Sequence, residues 1–165
     1  MSKHFEAVAT MKALALARQE PVGVGVESNP RSASKDDTWQ ILLYLLHMAD
    51  ISGQAKPHNL SMNWSDRVME EFFQQGDEEA ALGMPISFLC DRATVNVPES
   101  QFGYVNFVVK PAFEVVGMLV PEAEMKVLPY VEKNLEYWEM EKEKNQNMPV
   151  VPTKSAPPES AQGNL

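Results

Sequence analysis

The stretch "TWQILLYLLHMADISGQ", residues 38–54, carries apolar side chains at Trp39, Ile41, Leu42, Leu43, Leu45 and Leu46 with no apolar–polar alternation. A half-buried strand would alternate, whereas an uninterrupted run of this length reads as helix. Its apolar positions pass nearly all the way round the axis, which predicts a buried helix. His47 and Asp50 close the run at i and i+3, so imidazole and carboxylate project from one side. A carboxylate on a buried helix is tolerated only if it is paired, hydrogen-bonded or metal-bound. The spacing alone leaves a cap for the following turn, or a pair with His47, as the simplest roles.

Working outward, residues 2–19 read as a first helix rich in Ala, Leu, Met and Lys, and residues 20–37 as a loop of Pro, Gly and Ser. Asp37 or Thr38 is the expected cap of the helix through residues 39–51. Asn59 or Ser61 opens a third helix to about Leu82, with Gly83 as its stop. Residues 84–97 are irregular, and Pro98 suits the first position of a fourth helix running to Leu119. Pro111 inside it removes a backbone donor and should kink it. A last amphipathic helix covers residues 122–143, and the Pro-rich remainder, 144–165, is expected to be a disordered tail. No strand pattern and no internal repeat occurs, so the fold class is all-α.

The chain has 165 residues, enough for one domain with a substantial core. With 14 basic against 23 acidic residues its net charge is −9, which argues against a nucleic-acid partner or an anionic membrane surface. A site that neutralises carboxylates with metal ions stays open. Cys90 is the single cysteine and cannot form an internal disulfide; a cytoplasmic location is the corresponding expectation. No apolar stretch reaches the roughly 20 residues that span a bilayer.

Glu70 and Glu71 on the third helix fit a solvated helical face. The tripeptides "NLS" (59–61) and "NWS" (63–65) match the glycosylation pattern by chance in a chain with no recognisable secretory signal. Gln101 and Tyr104 lie one turn apart on the fourth helix. A side-chain amide offers an acceptor and two donors, so it meets a purine edge in either rotation, and an aromatic ring one turn away can stack on the base. A solvent-facing glutamine is the simpler reading of that position.

A set of segments in fixed order changes the balance. "MSKHF" (1–5), "LLHMADISG" (45–53), "WSDRVMEEFFQQGDEE" (64–79), "ISFLCDR" (86–92) and "SQFGYVNFVVKPAFE" (100–114) resemble the class I 3′,5′-cyclic nucleotide phosphodiesterase catalytic domain. The resemblance covers most of residues 1–140. It implies a compact all-helical domain, of which residues 1–143 would be the C-terminal part, hydrolysing cyclic AMP or cyclic GMP to the 5′-monophosphate. It also implies two divalent ions, zinc with magnesium or manganese, activating a hydroxide. Carried over, Asp50 matches a metal ligand and His47 a residue lining the same site. Gln101 matches the purine-binding glutamine and Tyr104 the stacking aromatic, more often Phe. Val68, Phe72 and Leu89 match apolar positions of the nucleotide pocket, while Glu71 and Asp77 match residues that buttress the fold. Where the family often has Asn-Pro after "ADIS", this chain has Gly53 and Gln54.

The family's His-rich segments and His-Asp pair, which supply the other metal ligands and the general acid, have no counterpart among His4, His47 and His58. The expectation is therefore a phosphodiesterase fragment without catalytic residues of its own, inactive in isolation. Its partners would be a cyclic nucleotide and the missing N-terminal half or a homodimer partner. The alternative is an inactive helical product that binds nucleotide or a protein partner.

Overall fold

A computed structural model describes residues 2–19 and 34–147. Helix α1 spans Ser2–Gln19 and α2 spans Lys35–Asp50. A 3-10 turn, Ser52–Ala55, leads to α3, His58–Ala81. Then follow α4 (Val97–Tyr104), a π turn (Val105–Val109), α5 (Lys110–Leu119), α6 (Pro121–Lys126) and α7 (Leu128–Asn147). Among the described residues there is no strand, as the absence of alternation predicts.

The helix ends follow local chemistry. Ser34 caps α2: its hydroxyl accepts from the Asp37 amide while the Asp37 carboxylate accepts from the Ser34 amide, a reciprocal capping box. The helix therefore starts before the expected caps, and residues 35–37 of the expected loop are helical. Residues 20–33 lie outside the described set. Ser61 does not open α3, because its hydroxyl is buried and turned to Gln54. Gly83 ends α3 as read: at φ +67° its amide donates to Ala80, and the Met84 amide to Glu79.

After Pro57 the chain enters α3 and returns across it at Gly76. A Cβ added there would lie 2.0 Å from the Cys90 carbonyl oxygen, so only glycine admits the crossing. Asn96 caps α4 by accepting from the Glu99 amide. Val97, not Pro98, is the first helical residue. The disturbance expected at Pro111 takes the form of a widened turn: the Lys110 amide donates to Val105, five residues back. The single helix expected over 122–143 is interrupted at Val127, just before Pro129, which lacks the amide needed to continue it. Helix α7 then runs to Asn147, into the stretch read as tail; residues 148–165 are outside the described set.

The core gathers Val105, Val109, Ala112, Phe113, Val115 and Val116 with Met11, Tyr44, Met48, Val131 and Trp138. Tyr44 buries its ring there and donates its hydroxyl to the Ala112 carbonyl at 2.9 Å. Burial pushes its phenol far above the ordinary value. The reading of α2 as wholly buried is corrected. Tyr44 and Met48 face the core, but Trp39, Leu42, Leu43 and Leu46 are between 51% and 69% exposed. Asp50 is exposed as well. Periodicity reports apolarity, not which neighbour covers it.

Candidate functional site

Ser61, Ser65 and Met69 recur every four residues along α3, which places them on one face, and all three are buried. That face meets Gln54 from the 3-10 turn, Gln101 from α4 and Trp138 from α7. Ser61 Oγ donates to Gln54 Oε1 at 2.7 Å, and the Trp138 indole donates to the same oxygen at 3.4 Å. Gln54 Nε2 donates to Ser65 Oγ at 2.6 Å and to Gln101 Oε1 at 3.3 Å. The Ser65 hydroxyl also reaches Gln101 Oε1, at 3.4 Å, and Gln101 Nε2 donates to Met69 Sδ at 3.5 Å.

The orientation of these amides follows from their partners. An indole nitrogen only donates, so Trp138 requires the oxygen of Gln54 to face it. The Gln54 amino group then faces Gln101, which must present its oxygen in return. Gln101 is thus held at both ends in one rotation. Alongside, buried Asn134 donates to the backbone carbonyls of Gln54 (3.0 Å) and Lys56 (2.9 Å), fixing the turn against α7. Its oxygen remains as an acceptor, so His58 Nδ1 must be the donor in their 3.0 Å contact.

Tyr104 is half-buried, and its phenol is raised first by burial and then by the negative charge of Asp50. His47 does not pair with Asp50. Its Nε2 lies 2.9 Å from Nδ1 of His4, whose own Nε2 donates to the Val108 carbonyl at 3.2 Å. That last bond makes His4 Nδ1 an acceptor and His47 Nε2 its donor. Burial is the largest influence on His4 and lowers its pKa; the His47 charge lowers it further.

Of the apolar residues read as pocket walls, Val68 and Phe72 sit one turn apart on α3, the first exposed and the second half-buried. Leu89 is half-buried and carries φ +67°, a conformation costly for a branched side chain, next to the Cys90 crossing over Gly76. Asp77 and Glu70 pair with Arg92, which also covers the Phe73 ring, and all three charged side chains are about half exposed. Glu71 is exposed.

A two-metal centre needs several converging His, Asp or Glu donors. Among the described residues no three His, Cys, Asp or Glu side chains converge, and His47 spends Nε2 on His4. These residues do not by themselves fit two ions.

Sequence reasoning missed Gln54, Ser61, Ser65, Met69, Asn134 and Trp138 as a connected group. The available signal was the four-residue spacing of Ser61, Ser65 and Met69, small or soft side chains on one helical stripe. The rest of the group comes from segments up to 84 positions away.

Residues 1–129 match the family described as 3′5′-cyclic nucleotide phosphodiesterase. The chain is 42% identical over 120 residues to a probable 3′,5′-cyclic phosphodiesterase of Caenorhabditis elegans, covering 73% of this chain and 16% of that protein. It is 36% identical over 140 residues to a 3′,5′-cyclic-AMP phosphodiesterase 4C of Rattus norvegicus, covering 84% and 25%. Among solved structures it is similar to the phosphodiesterase domain of a fusion protein from the choanoflagellate Salpingoeca rosetta. There the TM-score is 0.71 at 26% identity, over 90% of this chain and 44% of that one. It also shares its fold with LmjPDEB1, solved in complex with IBMX, at TM-score 0.69 and 23% identity over 87% and 40%. The chain spans a quarter or less of the length of these curated relatives.

Proposed function

The chain belongs to the 3′,5′-cyclic nucleotide phosphodiesterase family, and from that premise we propose that it forms the nucleotide-recognition part of such an enzyme. The substrate class is a 3′,5′-cyclic purine nucleotide, hydrolysed at the 3′ ester to the 5′-monophosphate. Gln101 binds the purine edge and Tyr104 stacks on its face, with Val68, Phe72 and Leu89 as apolar walls. Asp50 and His47 lie toward the phosphate.

The family is metal-dependent. Zinc with magnesium or manganese is the pair proposed for the complete centre, to which this chain would contribute Asp50. No hydrolytic step is assigned to the described residues, since their donors do not fit two ions. Cytoplasmic residence belongs to the same proposal.

The observation that carries this reading is the grip on Gln101. A solvent-facing glutamine needs no partners, yet this one is buried and held by Gln54, Ser65 and Met69. Holding an amide in one rotation has a chemical use. Adenine offers a donor and an acceptor in one order and guanine in the other, so a fixed amide favours one of them. The test is titration calorimetry of the chain with cyclic AMP and cyclic GMP. Binding that Gln101→Ala and Tyr104→Ala each abolish supports the reading, and heats unchanged by both variants refute it.

A second reading is nucleotide binding without turnover. It is favoured by the absence, among the described residues, of any group of three His, Cys, Asp or Glu side chains that could hold an ion. Hydrolysis of either nucleotide by the chain with zinc and magnesium would exclude it.

A further inference from the structure

Val68, Phe72, Gly76 and Glu79 follow one another along α3 at helical spacing, so they share one face. The first two are apolar walls of the nucleotide pocket proposed above. The last two hold the loop that supplies the third wall, Leu89. The Cys90 amide donates to the Ser87 carbonyl at 3.0 Å and closes a tight turn with Phe88 and Leu89 at its centre. At the far end of the turn, buried Cys90 lies against Gly76, where no Cβ fits. At the near end the Glu79 carboxylate takes both donors of Ser87, the amide on Oε2 at 2.6 Å and the hydroxyl on Oε1 at 2.7 Å. Phe88, between them, is 86% exposed, so the turn is held at its ends rather than by packing of its apex.

The backbone of Leu89 gives this double grip a use. At φ +67° it adopts a conformation that suits glycine at the third place of a turn, and a branched side chain persists there only when its surroundings hold it. Resting on the recognition reading above, we propose that Glu79 is a positioning residue for the nucleotide pocket: it clamps the Ser87–Cys90 turn to α3 and thereby sets the place of Leu89 opposite Val68 and Phe72. The carboxylate acts through Leu89, not on the nucleotide itself. The Gln75 side-chain amide, one turn back, donates to Glu79 Oε1 at 2.8 Å and keeps the carboxylate aimed at the loop. The Ser87 hydroxyl, then the Gln75 amide and the Ser87 backbone, hold the Glu79 carboxyl below the usual carboxylate range, so it stays charged and accepting at neutral pH.

The test is calorimetric titration of cyclic AMP and cyclic GMP into the 165-residue chain, together with amide hydrogen exchange at Cys90. Glu79→Ala is expected to weaken binding several-fold and to speed exchange of the Cys90 amide, with circular dichroism unchanged. Ser87→Ala, which removes a single exposed hydroxyl, should do the same to a smaller degree. A residue that acts only through Leu89 has nothing left to position once that side chain is gone. Glu79→Ala should therefore weaken the binding of Leu89→Ala no further, whereas a merely structural loss would add to it. Binding or Cys90 exchange unchanged by Glu79→Ala, or losses that add in the double variant, would overturn the inference and leave the Gln101 reading standing. A native chain that binds neither nucleotide would overturn that reading, and the pocket role of Glu79 with it.

Discussion

Gln54 donates through Nε2 to the side-chain oxygen of Gln101 at 3.3 Å, while its own oxygen is held by Ser61 and by the donor-only indole of Trp138. The polarity of this chain of bonds is set at its far end, on α7. Removing Gln54 leaves the Ser61 hydroxyl and the Trp138 indole without their partner and takes one bond each from Ser65 and Gln101, so Gln54→Leu should cost about 1–3 kcal/mol or more. Trp138→Phe removes one long bond and leaves a cavity where the larger indole was buried, so it should cost about 1–3 kcal/mol. Urea unfolding of the two variants measures both losses.

Asn134 offers a comparable test on the neighbouring turn. Its amide satisfies two backbone carbonyls, and its oxygen accepts from His58. Asn134→Ala should lose about 1–3 kcal/mol. Asn134→Asp, of equal size, should lose more, because a carboxylate would face two carbonyls. The unfolding midpoints of the two variants decide it.

His4 makes stability depend on pH. Its folded pKa lies below the ordinary value because of burial and the adjacent His47. A base lowered on folding binds more protons when unfolded. Its contribution is therefore complete above the unfolded value, about 6.5, and is lost as pH falls through the folded one. Thermal melts between neutral pH and pH 5 should show a decline that His4→Gln makes shallower, since a glutamine amide can still donate to Val108.

Three glycines separate space from backbone strain. Gly76→Ala drives a Cβ onto the Cys90 carbonyl at 2.0 Å and should cost about 3 kcal/mol or more. Gly83→Ala meets nothing within 4 Å but holds φ +67°, so only strain of about 1–2 kcal/mol is expected. Gly103, inside α4 with open space around it, should gain about 0.5–1 kcal/mol as alanine. Denaturant midpoints for the three variants check the ranking.

The sequence shows the all-α class, the stop of α3 at Gly83 and the boundaries of α1, because each rests on local periodicity or a single residue's chemistry. The exposure of Leu42 and Leu46 is not local, since an all-round apolar helix looks the same whether or not a neighbour covers it. The break at Val127 has a local sign in Pro129, which lies inside the stretch read as a single amphipathic helix. Gln101 and Tyr104 are visible as an amide and an aromatic one turn apart. The partners that orient Gln101 are not visible, because Gln54, Ser65 and Trp138 come together only through tertiary packing. The His4–His47 contact joins α1 to α2 across 43 positions, and no spacing rule announces it.

The central claim is that a held Gln101 amide reads one purine in preference to the other. The most direct measurement is the ratio of dissociation constants for cyclic AMP and cyclic GMP, in the native chain and in Gln54→Leu. One well-oriented amide pair is worth about tenfold or more in discrimination. The native ratio should therefore stand about tenfold from unity and collapse toward unity once Gln54 no longer holds the amide. Equal affinity for the two nucleotides in the native chain, or a ratio untouched by Gln54→Leu, would contradict the account.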